Sequence, residues 1–319
     1  MSENTQLMIE VKNLSRSYGT KLAVRDVSFS VRKGEILGFL GPNAAGKSTT
    51  MKVLTGFLPL ESGSVVVAGI DVTEHPVDAR RHIGYLPENV PLYPDFSVRD
   101  YLRFHADIKG VARKLRESRV NETLERCMIT DVSNQLIGKL SKGYRQRVGL
   151  AMAIIHKPDV IILDEPTVGL DPVAIRETRE LIKSLGGEHT VLLSTHILPE
   201  VSMTCQRVVI IHEGVTVAED TPENLSSRIN KTPNILLELE KGSPDLLQEL
   251  STLDGVVSVN CRETNHYSIE VKPDMDLRAD VAGLVIAKGG RILSLQTHQV
   301  SLEDVFVQLT TKDEEVSHE

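Results

Sequence analysis

The segment Gly41-Pro-Asn-Ala-Ala-Gly-Lys-Ser-Thr49 is a glycine-rich turn that ends in Lys-Ser. It follows an apolar run, Ile36–Leu40, that predicts a buried strand, and it precedes Thr49–Leu54, which predicts a helix. In this context the backbone N–H groups of such a loop wrap phosphates at the helix N-terminus. Lys47 would reach the terminal phosphates, and the Ser48 hydroxyl would bind Mg²⁺. The sequence therefore predicts a P-loop for a nucleoside triphosphate, formed by Gly41, Pro42, Asn43, Ala44, Ala45, Gly46, Lys47, Ser48 and Thr49.

The composition favours a soluble chain of about two domains. It has 319 residues and a formal net charge of −8, and this negative charge argues against nucleic acid as the main partner. We find no run of eighteen uncharged apolar residues and no basic and apolar leader, so we expect a cytoplasmic chain that could still dock on a membrane. The cysteines show no metal-ligand spacing and favour reduced thiols: Cys127, Cys205 and Cys261.

Two further apolar runs end in residues suited to phosphate chemistry. Val160-Ile-Ile-Leu-Asp-Glu165 would place Asp164 beside the Mg²⁺ and leave Glu165 free to polarise an attacking water. Val191-Leu-Leu-Ser-Thr-His196 would present His196 at a carboxyl strand end, where it can donate to a γ-phosphate. A solvated acidic turn and a structural histidine are the alternatives. The P-loop in the same chain favours the functional interpretation.

The segment Leu140-Ser-Lys-Gly-Tyr-Arg-Gln146 distinguishes between classes of P-loop protein. With Ser141 as N-cap and a free turn at Gly143, it predicts a second helix N-terminus able to hold phosphate, before an apolar helix at Val148–Ile155. Here the chain resembles the nucleotide-binding subunit of an ATP-binding cassette (ABC) transporter, whose signature normally reads Leu-Ser-Gly-Gly-Gln. The resemblance covers residues 7 to 230, with the motifs in the family's order.

The resemblance implies ATP and Mg²⁺ as ligands and ATP hydrolysis as the reaction. Tyr18 matches the aromatic residue that stacks on adenine, although a strand-end tyrosine half in the core is an alternative. Glu165 matches the catalytic base and His196 the switch histidine. Two cassettes of the family face each other head to tail, so we expect a homodimer. The residues that would act across it, from the signature and the D-loop, are Ser141, Lys142, Gly143, Tyr144 and Asp171.

Three features depart from the common family pattern. Ala44 replaces a glycine, which would strain the loop by about 1 to 2 kcal/mol if its φ is positive. Glu88 replaces a glutamine that touches Mg²⁺ and water, and it could bind the metal or merely cap a solvent-facing turn. Lys142 and Tyr144 replace glycine and glutamine in the signature. Glu88 and the Ser-Lys-Gly-Tyr form resemble the type-2 exporter branch that includes gliding-motility and sodium-efflux ATPases. The expected metal ligands are Ser48, Glu88 and Asp164.

The expected fold is an α/β P-loop cassette with a RecA-like core, an antiparallel β-subdomain and a helical subdomain, followed by a small ferredoxin-like α+β domain. We expect the cassette over residues 1–231, with the helical subdomain at 88–158. The accessory domain would occupy 232–311, where the predicted element order is β-α-β-β-α-β. A capping box, Ser301-Leu-Glu-Asp304, would open a terminal helix, and 312–319 would be a disordered tail.

The resemblance implies an ATP-hydrolysing subunit that drives export through a separate membrane permease, at the cytoplasmic face of the membrane. A soluble ABC ATPase without a transport role is the alternative. Such translation and repair proteins usually carry two cassettes or a long coiled coil, and this sequence predicts neither. A regulator that binds nucleotide without hydrolysing it is a third possibility, disfavoured by Glu165 and His196.

Overall fold

The chain folds into two compact units that divide after Pro222. The structure is a computed structural model that describes residues 6–229, 234–241, 244–263, 265–272 and 275–298. The expected capping box at 301–304, the terminal helix after it and the tail at 312–319 lie outside the described residues. No helix within the described residues has both the length and the apolar character needed to cross a bilayer.

The first unit contains two sheets. Its strands are β1 (Leu7–Tyr18), β2 (Lys21–Arg32), β3 (Ile36–Leu40), β4 (Ser62–Val67), β5 (Ile70–Asp71), β6 (Ile83–Leu86), β7 (Val160–Asp164), β8 (Thr190–Thr195), β9 (Arg207–His212) and β10 (Val215–Asp220). An antiparallel sheet has the order β2-β1-β4-β5, and a mixed sheet has the order β10-β9-β3-β8-β7-β6. The predicted antiparallel β-subdomain is therefore present beside a largely parallel core sheet, in which β10 pairs antiparallel with β9.

The helices of the first unit connect these strands. They are α1 (Lys47–Leu54), α2 (Pro76–Arg81), α3 (Val98–Ile108), α4 (Arg116–Arg126), α5 (Lys142–Ile154), α6 (Pro172–Leu185) and α7 (Leu198–Thr204), with α8 (Pro222–Ile229) at the division. Helix α3 begins after Ser97, whose hydroxyl accepts the amide hydrogen of Asp100. Helix α6 begins at Pro172, which needs no donor there, behind the cap Asp171.

The core of the first unit lies between the two sheets. Strands β3, β7 and β8 are buried along their whole length, as expected of strands covered on both faces. Phe29 of the antiparallel sheet contacts Phe39 of the core sheet, with ring centroids 5.2 Å apart. Each such buried apolar side chain contributes about 1.5 to 3 kcal/mol through removal from water. This packing fixes β3, and therefore the loop that follows it.

The strand pairing brings the carboxyl ends of β3, β7 and β8 together. Leu40, the last residue of β3, pairs with Thr195 on β8, and Asp164, the last residue of β7, pairs with Ser194 on β8. Loops that leave adjacent parallel strands at one edge form the usual binding crevice of such sheets. The predicted site residues at these strand ends therefore become neighbours.

The second unit has the predicted element order. It contains β11 (Asn234–Leu239), α9 (Pro244–Ser251), β12 (Val256–Glu263), β13 (His266–Val271), α10 (Arg278–Ala287) and β14 (Ile292–His298). The strand pairs are antiparallel in the order β12-β13-β11-β14, and one sheet face packs on both helices around Leu237, Leu250 and Val281. This arrangement confirms the ferredoxin-like prediction.

Candidate nucleotide-binding site

The P-loop lies between β3 and α1, and its backbone explains several of its residues. Gly46 caps α1 with a φ of 102°, and a Cβ placed on it would lie 2.6 Å from the Ala23 carbonyl oxygen. Ala44 has a φ of 66°, so the strain expected for an alanine at this position is present. Helix α1 begins at Lys47, two residues earlier than predicted, because Gly46 already occupies the cap. Lys47 and Ser48 are thus in the first turn of the helix.

The Lys47 side chain is buried, and its ammonium group contacts three oxygen atoms. Its ammonium donates to the carbonyl oxygens of Gly41 at 2.8 Å and Pro42 at 3.1 Å, and it lies 3.3 Å from Glu165 Oε1. The side chains of Lys47 and Glu165 are each only 6% exposed. A buried ion pair is tolerated when further hydrogen bonds satisfy the charges, as the loop carbonyls do here. The lysine ammonium therefore lies against the backbone of the P-loop.

Glu165 has a strained backbone conformation, and its carboxylate lies between Lys47 and His196. It follows β7 with a φ of 52°, and its amide donates to the Ser194 carbonyl oxygen at 2.9 Å. Its Oε2 lies 2.9 Å from His196 Nδ1. His196 follows β8, which ends at Thr195, and its side chain is 39% exposed. A non-glycine residue held in this backbone region often marks a functional position.

Asp164 and Ser48 form an oxygen-rich corner. Asp164 Oδ1 accepts a hydrogen bond from the Ser194 hydroxyl at 2.8 Å, and its carboxylate is also hydrogen-bonded to Ser48. Burial raises the pKa of Asp164; the two hydroxyl groups oppose this rise, and the nearby carboxylates of Glu165 and Glu88 add to it.

A divalent cation fits this corner. The described residues hold no group of three or more His, Cys, Asp or Glu arranged around a metal position. Mg²⁺ does not need one, because it is commonly bound through one or two side-chain oxygens together with substrate phosphates and water. The Ser48 hydroxyl and the Asp164 carboxylate supply hard oxygen ligands, and a cation between them would offset the carboxylate charge that burial disfavours.

An open cleft of about 630 Å³ joins these groups. Of the predicted P-loop residues, Asn43, Ala44, Gly46, Lys47, Ser48 and Thr49 line it, and Glu88, Glu165, His196 and Tyr18 lie around it. Gly41 and Pro42 contribute carbonyl oxygens to Lys47, and Ala45 is buried. Asp164 is buried and meets the cleft through Ser48. The sequence analysis missed Lys21, which lines the cleft three positions after Tyr18; its place at the start of β2 was the available signal.

Tyr18 lies at the end of β1 and is 48% exposed. The guanidinium carbon of Arg16 is 5.9 Å from the centroid of its ring, a cation–π distance. The ring therefore stands at the edge of the cleft with a large area accessible. This position suits an aromatic surface for a flat base, a contact worth about 1 to 3 kcal/mol.

The signature segment lies outside this cleft. Ser141 caps α5, and its hydroxyl accepts the Tyr144 amide hydrogen at 3.3 Å. The expectation of a free turn at Gly143 was wrong: α5 begins at Lys142, because the Ser141 cap leaves the next residue already helical, and Gly143 belongs to the first turn. The Tyr144 hydroxyl donates to Asp131 Oδ2 at 2.6 Å, and Arg147 lies over its ring at 5.5 Å. The tyrosine that replaces the usual glutamine is thus anchored within its own subunit.

The D-loop adjoins the signature within the same chain. Asp171 caps α6 by accepting the amide hydrogens of Val173 at 3.1 Å and Ala174 at 3.0 Å. Lys142 Nζ packs on Gly169, where an added Cβ would lie 2.2 Å from it. None of the five predicted signature and D-loop residues is among the described residues that line the nucleotide cleft of this chain.

Comparisons with known proteins agree with this geometry. Residues 24–168 match the model of the ABC transporter family. The linearmycin resistance ATP-binding protein LnrL of Bacillus subtilis is 32% identical over 95% of this chain and 98% of its own length. The bacitracin transport ATP-binding protein BcrA of Bacillus licheniformis is 32% identical over 95% of this chain and 97% of its own length.

Solved structures agree as well. An ATP-binding subunit of an ABC transporter is 32% identical, with a TM-score of 0.63, over 70% of this chain and 93% of that one. A dimeric bacterial ABC transporter cassette is 25% identical, with a TM-score of 0.62, over 67% of this chain and 98% of that one. The P-loop, the paired acids Asp164 and Glu165 at the end of β7 and the histidine after β8 lie where one cleft can use them. The chain therefore belongs to the ABC transporter family, in which it is an ATP-binding subunit and an ATPase.

Proposed function

We propose that this chain hydrolyses Mg²⁺-bound ATP in the cleft around Lys47 and drives export through a separately encoded membrane permease. The observation that carries the proposal is the contact of Glu165 with both Lys47 and His196. ATP would draw the lysine toward its β- and γ-phosphates and free the carboxylate to polarise a water. His196 would then donate to the γ-phosphate, where negative charge accumulates.

Ser48 and Asp164 would hold the Mg²⁺ ion, and Glu88 would join them directly or through water. The position of Glu88 supports this role, because Glu88 and Ser48 line the same cleft. Mg²⁺ would offset both charges and supply electrostatic stabilisation of the phosphates.

The active unit would be a homodimer. The signature and D-loop residues do not line the cleft of their own chain among the described residues. A second copy facing the first head to tail would bring Ser141, Lys142 and Gly143 to the γ-phosphate held by Lys47. The helix N-terminus behind Ser141 suits this role, because a helix N-terminus attracts anions and Ser141 and Lys142 are exposed there. The dimeric cassette among the solved relatives supports the same assembly.

The permease would dock beside Glu88. This residue lines both the nucleotide cleft and a neighbouring groove of about 400 Å³. Next in sequence is an exposed aromatic patch formed by Tyr93, Phe96 and Phe104, which are 48%, 37% and 38% exposed and contact one another with centroids 5.5 to 6.0 Å apart. Clustered exposed aromatic side chains are typical of protein interfaces. A cytoplasmic segment of the permease is the proposed occupant, and the chain would then lie on the cytoplasmic face of the membrane.

Assembly with the permease tests the transport role. The chain is expressed with and without a multi-helix membrane protein encoded beside its gene, and vesicles are sedimented. We expect sedimentation only when the permease is present, with loss of binding in a Phe96→Ser, Phe104→Ser variant that retains its own ATPase activity. Equal distribution with and without the permease would instead favour a soluble ATPase with another role.

A further inference from the structure

A buried carboxylate connects the two loops that carry the proposed catalytic residues. Glu200 lies in the first turn of α7 and is 3% exposed. Its Oε1 accepts a hydrogen bond from the Thr167 hydroxyl, and its Oε2 accepts one from the Thr195 hydroxyl at 3.1 Å. Burial raises the pKa of Glu200, and both hydroxyl groups oppose the rise. Both carboxylate oxygens of this buried group are thus hydrogen-bonded, one to the segment after β7 and the other to the end of β8.

The two threonines stand directly beside the catalytic positions. Thr167 follows Glu165 by two residues, and Thr195 is the last residue of β8, immediately before His196. The Thr195 hydroxyl also accepts the Ile197 amide hydrogen at 3.0 Å, so its two bonds reach across His196. Thr167 and Thr195 are 3% and 0% exposed. Water therefore has little opportunity to replace either bond.

Helix α7, which carries Glu200, packs tightly against the core sheet. The helix packs on Gly38 of β3, where an added Cβ would lie 2.8 Å from Val201 Cγ1 and 3.1 Å from Cys205 Sγ. Strand β3 leads directly into the P-loop. The carboxylate is therefore held relative to the strand that positions the phosphates.

We propose that Glu200 is a positioning residue for ATP hydrolysis, which keeps the Glu165 and His196 loops in register. Glu200 is not among the described residues that line the cleft, so it acts through the threonines. When ATP separates Lys47 from Glu165, the Glu165 carboxylate must still face the γ-phosphate beside His196. A displacement of about 1 Å at such a site can cost about 100-fold in rate. The inference rests on the proposed roles of Glu165 and His196.

Steady-state ATPase kinetics and nucleotide binding test the proposal in the full chain. Glu200→Ala is expected to lower kcat about tenfold or more, with the Kd for ATP within about twofold, because the P-loop contacts remain. Glu200→Gln should recover much of the rate, since its amide can accept from one threonine and donate to the other. The matched control is Thr204→Val, a buried position on the same helix whose hydroxyl has no hydrogen-bond partner among the described residues. It should leave kcat unchanged.

Thr167→Val and Thr195→Val, which keep side-chain volume, decide the case if Glu200→Ala fails to fold. A bridge needs both ends, so the double variant should lose no more rate than the worse single variant. The bridge would be overturned if the rate losses of the two single variants multiply in the double variant, or if folded Glu200→Ala keeps the wild-type kcat. Either result counts against the bridge alone when Glu165→Gln, assayed in parallel, is inactive. Wild-type turnover in Glu165→Gln would overturn the catalytic assignment and the inference with it.

Discussion

The Lys47 ammonium lies 3.3 Å from the Glu165 carboxylate, and both side chains are 6% exposed. The pair brings the proposed phosphate-binding charge and the proposed base together, and a bound nucleotide would compete with Glu165 for the lysine. Removal of one member of a buried pair is costly, at about 3 to 5 kcal/mol, because the other charge is left unpaired. We therefore expect substitution of either residue to affect stability as well as activity.

Lys47→Ala should abolish ATP binding or hydrolysis, because it removes the side-chain cation of the P-loop that faces the β- and γ-phosphates. It should also lower the free energy of unfolding by leaving Glu165 without its ammonium partner. Equilibrium binding of a fluorescent ATP analogue and thermal melts measure the two effects. Lys52→Ala, on the last turn of the same helix, is the control. Wild-type turnover in Lys47→Ala would refute the P-loop assignment.

His196→Ala should slow hydrolysis by about 100-fold or more, with a smaller change in ATP affinity. The imidazole would act mainly on the γ-phosphate in the transition state, where one positioned donor has effects of this order. Measurement of kcat beside the Kd separates the two parameters. His82→Ala removes another histidine that contacts a carboxylate, Asp159 at 2.6 Å, and should have no such effect. A rise in Kd with constant kcat would assign His196 to binding alone.

Glu88→Gln should stay active, with turnover changed by less than about tenfold, or about 1.4 kcal/mol. Its apparent Mg²⁺ affinity should fall, because an amide oxygen lacks the charge that a carboxylate offers the metal. Glu88→Ala should lose more activity. Mg²⁺ titrations of ATPase activity provide the comparison. Superimposable titrations of wild type and Glu88→Gln would mean that Glu88 only caps the turn after Pro87.

A chain that ends at residue 231 should remain folded and bind ATP. Every proposed nucleotide-contacting residue precedes this point, and the second unit has its own core around Leu237, Ile269 and Val281. Circular dichroism and nucleotide binding of the truncated chain check this expectation. A folded truncation without nucleotide affinity would show that the second unit completes the site, which is not expected of an accessory domain.

Local patterns in the sequence were sufficient to predict the strand before the P-loop and both sheets of the first unit. The apolar run Ile36–Leu40 is a strand with the predicted bounds, because a strand buried on both faces needs continuous apolar residues. The alternation in β1 and β2 predicted an antiparallel sheet for the same kind of reason. Ser141 was predicted correctly as the cap of α5, whereas Gly143, expected in a free turn, lies in the first turn of that helix.

The Glu200 bridge could not be predicted from the sequence. Thr167 is 33 positions from Glu200, and only the pairing of β7 with β8 brings their loops together. No spacing rule connects a helix glutamate to two threonines on different strand ends. Lys21 was missed for a similar reason, because its approach to the P-loop depends on how the antiparallel sheet packs on the core sheet.

ATP-dependent dimerisation of Glu165→Gln is the most direct test of the account. The amide keeps the size of the side chain but cannot act as a base, so ATP should bind, hydrolysis should stop and the closed dimer should accumulate. Light scattering with and without Mg²⁺ and ATP measures the mass, beside the hydrolysis rate. The control is Glu213→Gln, an exposed glutamate that also has a positive φ, of 46°. We predict that, in the presence of ATP, Glu165→Gln forms a stable dimer and Glu213→Gln does not. A Glu165→Gln protein that stays monomeric with saturating ATP, or that hydrolyses ATP at the wild-type rate, would contradict the account.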